Sequence, residues 1–307
     1  IVFFLKYFLN HKKKIKLKNP IILISSKKLV QRQMKKLGFN FKINYINEKK
    51  LNFNQLDKKK INLIDVKFKF KKTFDKISEN SNFFINRSFE IALKVLKKKN
   101  CSGLINGPIS KKNFLKGKTL GITEYLSKKT KRKNVAMIIF NRKLSVSPLT
   151  THLALKNVNK LISKNKIHNH IKLITKFYKK NFNKKPKIAI TGLNPHCESN
   201  FKDCEEDKVI IPAIKSLNTR NYYVKGPFPA DTIFLKENLK NFDIIVGMYH
   251  DQVLSPMKAL FGFNAINITL GLPFVRISPD HGPNSLMLGK NLSNPQSLIN
   301  ALKFLDK

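Results

Sequence analysis

The chain has 307 residues, 42% of them hydrophobic, so it is long enough to bury a sizeable core and to form two domains. Its 61 Lys and Arg residues against 18 Asp and Glu residues give a formal net charge of +43. The lysines are spread along the whole chain and Arg is scarce, which favours a solvated surface over a nucleic-acid groove. Such a surface would still attract anionic, phosphorylated metabolites.

The cysteine pattern and the hydropathy of the first residues predict a cytoplasmic protein without a membrane partner. The three cysteines form no Cys-x-x-Cys pair, and their odd number fits reduced thiols. The apolar segment 1–9 is too short and too broken by lysine to span a bilayer, so it is predicted to form an amphipathic helix. The chain begins with Ile rather than Met, which suggests a fragment lacking its first element.

The first part of the chain alternates short apolar runs with helical periodicity. Buried strands are predicted where such runs are bounded by turn residues. The predicted strands are 20–25, 41–46, 61–66 and the stretch from 103 into a Gly-Pro turn, and the predicted helices are 28–37 and 86–99. A further helix follows Gly121, with Thr123 as a candidate cap of its first turn.

The second part of the chain predicts a hairpin followed by alternating helices and strands. The hairpin covers 135–140 and 144–149, and a long helix has its apolar stripe at Ile167, Ile171, Ile174 and Tyr178. His168 and His170 lie off that stripe and are predicted to be solvated. The remaining strands are 187–193, 243–248 and 266–270, and the remaining helices are 209–217 and 295–305. The sequence therefore predicts an α/β protein with mixed sheets.

Three histidines each follow the end of a predicted strand. They are His152, His196 and His250. Strand ends are where open α/β sheets place ligand-binding groups, and three neutral imidazoles can bind a divalent metal while leaving a position for substrate. On spacing alone, the alternative that these are separate loop or core histidines stays open.

Several motifs occur in one order and together resemble the 4-hydroxythreonine-4-phosphate dehydrogenase family of pyridoxal 5′-phosphate biosynthesis. The resemblance covers residues 20–307 and is densest from 101 to 290. The motifs are INGPISK (105–111), GITEYL (121–126), TTHLAL (150–155), GLNPHCE (192–198), GPFPADTIF (226–234), MYHDQVLSPMK (248–258) and NITLGLPFVRISPDHG (267–282).

The resemblance implies a fold, a reaction and an assembly. The reaction is an NAD-dependent (or NADP-dependent) oxidation of 4-phosphooxy-L-threonine, followed by decarboxylation to 3-amino-2-oxopropyl phosphate. The fold resembles isocitrate and isopropylmalate dehydrogenases, with two α/β/α domains, mixed sheets and an active-site cleft between them. Residues 1–118 with 277–307 would form the first domain, and 119–276 the second, which carries the metal ligands and the contacts of a homodimer.

The resemblance also assigns site residues. His152, His196 and His250 match the metal ligands, which the family draws from both subunits. Thr123, Lys258, Asn267 and Arg276 match substrate contacts. Zn is the expected metal, with Co or Mg as alternatives. The cofactor-binding residues are unknown, since the sequence contains no Gly-x-Gly-x-x-Gly fingerprint.

Three acidic or imidazole groups inside the motifs are further candidates. Asp251 is a candidate general base or a group that orients the neighbouring His250. Asp231 and His281 are candidates for the cleft, although His281 could equally be a loop residue satisfied by its neighbours.

Two departures from the family pattern bear on the substrate and on the metal loop. Ile122 stands where the family has a substrate-contacting His, which leaves open a related dehydrogenase of D-erythronate or D-threonate 4-phosphate. Cys197 stands where the family has Ala, either as a small filler or as a group that contacts the metal. A dihydrodiol dehydrogenase, a nucleic-acid-binding protein and an inactive fragment are weaker alternatives.

Overall fold

The computed structural model describes residues 17–75, 79–115, 119, 121–198, 203–262, 264–279, 282–283 and 285–306. The chain divides into two compact units. Unit 1 comprises Ile1–Thr119 with Phe274–Lys307, and unit 2 comprises Leu120–Pro273. The amphipathic helix predicted over 1–9 lies outside the described residues.

Unit 1 is built on parallel strands covered by helices. Strands β1, β2 and β3 form a three-stranded sheet in the order β1-β3-β2, and β4 pairs in parallel with β11. Both faces of β3 are buried, with Leu63 packed near Val30 on one side and Ile64 near Ile91 on the other. The strands are Ile22–Ser25 (β1), Ile43–Ile46 (β2), Ile61–Asp65 (β3), Leu104–Ile105 (β4) and Arg276–Pro279 (β11), and the helices are Lys27–Lys36 (α1), Asn82–Lys97 (α2), Lys111–Leu115 (α3) and Gln296–Leu305 (α9).

Unit 2 contains a mixed sheet in the order β10-β5-β6-β9-β7-β8. The predicted hairpin is present, and both the β5–β6 and β10–β5 pairs are antiparallel, while β6, β9, β7 and β8 run parallel. The strands are Ala136–Phe140 (β5), Ser145–Pro148 (β6), Ile188–Thr191 (β7), Val224–Phe228 (β8), Ile244–Gly247 (β9) and Ile266–Leu270 (β10), and the helices are Ile122–Lys129 (α4), Lys164–Phe182 (α5), Ile211–Asn218 (α6), Lys236–Leu239 (α7) and His250–Phe261 (α8). The predicted α/β class with mixed sheets is confirmed.

The order of strands in unit 2 places the three histidine-bearing loops after neighbouring strands. Strand β9 lies between β6 and β7 and runs parallel to both. The carboxyl ends of these strands therefore lie at one edge of the sheet. His152 follows β6, His196 follows β7, and His250 begins the helix after β9.

Two local predictions were wrong. His168 and His170 are buried rather than solvated, because both lie on the broad face of α5 that packs into the unit. Thr123 does not cap α4. The cap position is Gly121, without a side-chain hydrogen bond, and Thr123 lies inside the first turn.

No helix in the described part of the chain is long and apolar enough to cross a membrane.

Candidate active site

His152 and His250 approach each other at the shared edge of the sheet in unit 2. Their ring centroids lie 5.8 Å apart, with the rings tilted by 36°. The His152 backbone has φ 47°, in the left-handed region, which few residues other than glycine adopt and which clusters at functional sites. Two imidazoles at this separation can serve one ion between them.

The Asp251 carboxylate accepts a hydrogen bond from the imidazole of the preceding residue, His250. Nδ1 of His250 and Oδ1 of Asp251 lie 2.6 Å apart. With the Nδ1 proton directed at this carboxylate, the lone pair of His250 is left on Nε2, the arrangement in which metal-binding histidines are commonly held. The Asp251 side chain itself is largely exposed to solvent.

His196 lies on the loop after β7, which has an unusual backbone. His196 and Cys197 both have positive φ, at 56° and 60°. The His196 side chain is exposed, and burial raises the pKa of the neighbouring Cys197 thiol. A neutral thiol in this position fits the role of a small filler.

A complete set of ligands is not gathered within the described part of one chain. Among the described residues, no group of three His, Cys, Asp or Glu side chains is placed to hold a metal ion. The structure therefore brings together two of the three predicted ligands, His152 and His250, and does not bring His196 to them.

Two of the predicted substrate contacts lie on neighbouring elements of unit 2. The hydroxyls of Thr123, in α4, and Thr269, in β10, lie 3.3 Å apart. Asn267, also in β10, directs its amide nitrogen at the sulfur of Met137, 3.2 Å away. Its Oδ1 is buried without a hydrogen-bond partner among the described residues, so this acceptor is available to a ligand.

The predicted cationic contacts belong to different units. Lys258 is half-buried in α8 of unit 2. Arg276 is buried at the start of β11 in unit 1, and its Nε donates to Oδ1 of Asn106 at 2.7 Å. This hydrogen bond fixes the plane of the guanidinium group. Asp231 is exposed in the turn after β8, and His281 lies outside the described residues.

Three polar residues at this edge were missed by the sequence analysis. Glu124 has a buried Oε2 with no hydrogen-bond partner among the described residues. Glu206 and Gln252 are buried and hydrogen-bond to the strand ends beneath the histidine loops. Each stands inside or near a recognisable motif, but buried carboxylates and amides give no periodic signal in a single sequence.

Fold and site define a mixed α/β protein that carries histidines at neighbouring ends of parallel strands. Comparisons with known proteins identify the family. The family model described as pyridoxal phosphate biosynthetic protein PdxA matches residues 16–305. The chain belongs to this family, and the resemblance drawn from the motifs is confirmed.

Individual relatives agree with this assignment. The chain is 37% identical to a 4-hydroxythreonine-4-phosphate dehydrogenase of Sulfurihydrogenibium sp., over 92% of this chain and 87% of that protein. It is 33% identical to a D-threonate 4-phosphate dehydrogenase of Cupriavidus necator, over 75% of this chain and 70% of that protein. A solved 4-hydroxythreonine-4-phosphate dehydrogenase from Burkholderia phymatum superposes with a TM-score of 0.79 at 26% identity, covering 99% and 93% of the two chains.

Proposed function

We propose that this protein is an NAD-dependent, metal-assisted dehydrogenase that oxidises 4-phosphooxy-L-threonine and releases CO2 to give 3-amino-2-oxopropyl phosphate. One observation carries the proposal. The chain matches the PdxA family model over residues 16–305, and the ring centroids of His152 and His250 lie 5.8 Å apart at neighbouring strand ends.

The side chains present at this edge fit a divalent ion. Two imidazoles face each other, and Asp251 leaves Nε2 of His250 available as a ligand. Imidazole donors suit Zn or Co, and Mg would need water and substrate oxygens to complete its shell. The chemistry that a dication supplies in such a site is Lewis-acid stabilisation of negative charge developing on a substrate oxygen.

Different residues of this chain would then bind different groups of the substrate. Thr123 and the unpartnered Oδ1 of Asn267 offer hydrogen bonds to hydroxyl or amino groups. Lys258 and Arg276 offer positive charge to the phosphate or the carboxylate. The oxidation would remove a hydride from C3, for which NAD⁺ is the proposed acceptor, and a proton from the C3 hydroxyl. The resulting β-keto acid loses CO2, and the electrons of the broken C–C bond leave an enolate that takes up a proton.

We further propose that a homodimer completes the site. Within the described part of one chain only two of the three histidines approach each other. A second copy of the chain can supply His196, because an isologous dimer presents the same loop twice. The two units would act as the two domains of each subunit.

A second substrate is favoured by a specific residue. Ile122 is buried in the first turn of α4, so no imidazole is available at the position where the resemblance predicts a substrate-contacting His. A relative named D-threonate 4-phosphate dehydrogenase covers 75% of this chain. The alternative function is therefore the same oxidation applied to D-threonate or D-erythronate 4-phosphate.

NADH formation tests both functions in one experiment. The protein is assayed by absorbance with 4-phosphooxy-L-threonine, D-threonate 4-phosphate and D-erythronate 4-phosphate, before and after chelation. We expect turnover of the threonine compound that is lost with chelator and restored by Zn²⁺ or Co²⁺. Turnover of only a sugar acid would select the alternative, and no turnover of any of the three by metal-loaded protein would contradict both.

A further inference from the structure

The loop that carries His196 requires support from its surroundings. Two consecutive residues other than glycine, His196 and Cys197, have left-handed backbone conformations. Each such conformation is unfavourable for a residue with a Cβ atom and persists only when neighbouring groups hold it in place. Two buried side chains, Glu206 and Gln252, hold the backbone from which this loop begins.

Glu206 holds the start of the loop from one side. Its Oε1 accepts hydrogen bonds from the backbone N–H groups of Leu193 and Asn194, at 2.7 and 2.9 Å. Its Oε2 accepts from Nδ2 of Asn194 at 2.8 Å. Glu206 is 1% exposed and begins the π-helical turn Glu206–Ile210, an irregularity that often occurs at functional sites. Burial alone would raise the pKa of Glu206, but these hydrogen bonds lower it. The carboxylate therefore stays charged.

Gln252 holds the same strand end from the other side. Its Nε2 donates to the carbonyl of Gly192 at 2.7 Å, and its Oε1 accepts from the hydroxyl of Thr191 at 2.9 Å. The same Oε1 accepts from the backbone N–H of Met248 at 2.7 Å. One side chain thus links the end of β7 to the end of β9.

The packing around Gln252 leaves little freedom for this link. A Cβ atom on Gly247 would lie 3.1 Å from Oε1 of Gln252 and 2.5 Å from Cγ1 of Val253, so the absence of a side chain at Gly247 lets helix α8 pack close to β9. Gln252 lies two residues after His250 in that helix. Its hydrogen bonds therefore fix the backbone segments from which both His196 and His250 project.

We infer that Gln252, together with Glu206, is a positioning residue that holds the His196 loop and the start of the His250 helix of its own chain, each of which would supply a ligand to one of the two metal sites of the proposed dimer. The inference rests on the proposed metal-assisted function. It adds two residues that touch neither metal nor substrate and that act through the histidines. Groups that orient metal-binding side chains typically change metal affinity by about 10- to 100-fold when they are removed.

Gln252→Met tests the inference, because methionine has a similar length and makes none of the three hydrogen bonds. Zn²⁺ is titrated calorimetrically into metal-free protein, and thermal unfolding is measured in chelator. We expect the Kd for Zn²⁺ to rise about 10- to 100-fold. The matched control is Asn62→Leu in unit 1, where a fully buried amide makes four hydrogen bonds. It should lower the unfolding temperature without changing the Kd.

A double-mutant cycle separates positioning from general stability. Because Gln252 is inferred to act through both His196 and His250, Gln252→Met should weaken Zn²⁺ binding by a smaller factor in a His196→Ala background than in the wild type. An unchanged Kd for Gln252→Met, or a full additional loss in the His196→Ala background, would overturn the inference. The proposed function fails separately: His196→Ala alone would then leave Zn²⁺ binding unchanged.

Discussion

His170 is a buried histidine held in its neutral form. Its Nε2 lies 2.7 Å from the hydroxyl of Ser147, which donates its proton to the carbonyl of Met137 at 2.6 Å. The hydroxyl must therefore accept from His170, which places the proton on Nε2. Burial lowers the pKa of His170 to about 4, with a smaller contribution from Lys166. A histidine of this kind makes stability depend on pH.

His170→Gln should flatten the dependence of stability on pH. In the unfolded chain His170 takes up a proton near pH 6.5, and in the folded protein only near pH 4, so its contribution to stability is complete above about pH 6.5 and is lost as the pH falls toward 4. Gln keeps an amide donor for Ser147 but does not titrate. Between about pH 7 and pH 5 the wild type should lose about 2 kcal/mol more free energy of unfolding than the variant. Urea denaturation at both pH values measures this, and equal losses would contradict it.

Candidate metal ligands could be named from the sequence more readily than the residues that surround them. His152, His196 and His250 were identified because each follows an apolar run at a strand end. The burial of His170 was missed because the apolar stripe of the helix was drawn too narrowly. His170 lies three residues after Ile167 and four before Ile174, on the same face of α5, where a hydrogen-bonded imidazole can replace an apolar side chain.

At the scale of elements, short apolar runs predicted the strands well. Local irregularities of the helices were predicted poorly. The runs at β1, β3 and β10 were found within two residues of their observed bounds, since a parallel or central strand buried on both faces is almost entirely apolar. The π turn before α6 was not predicted, because it depends on the hydrogen bonds of Glu206 to a distant loop. Pairwise tertiary contacts of this kind leave no periodicity in one sequence.

Ile122→His tests how the first turn of α4 selects the substrate. Ile122 is 7% exposed, so the position is enclosed by the protein. If the resemblance places a substrate-contacting imidazole here, the variant should shift the ratio of kcat/KM toward 4-phosphooxy-L-threonine and away from D-threonate 4-phosphate by at least about tenfold, the worth of one good hydrogen bond. Ile122→Leu is the control and should leave the ratio unchanged. A histidine variant with the same ratio as the wild type would show that this position does not select the substrate.

At the scale of the whole molecule, the net charge of +43 does not define a binding groove. The cations predicted to contact substrate were distinguished only by their motifs, and of these Arg276 is buried and hydrogen-bonded to Asn106. The way in which His152 and His250 meet follows from strand order, which the sequence did not reveal. The position of His196 relative to these two histidines is not explained by strand order, and in the proposed homodimer it would depend on a second copy of the chain.

Mixed dimers test whether two copies share each metal site. If His152 and His250 act from one chain and His196 from its partner, a dimer of His152→Ala with His196→Ala keeps one intact site, made of His152 and His250 from the His196→Ala chain and His196 from the other. Co-expression in equal amounts should therefore restore about a quarter of the wild-type sites, counted as tightly bound Zn²⁺, although each variant alone has none. His152→Ala with His250→Ala is the matched control, because every site in that dimer lacks a ligand. Recovery in the control, or none in the first pair, would contradict the proposed division of ligands, since a site contained in one chain cannot be rebuilt from two defective copies.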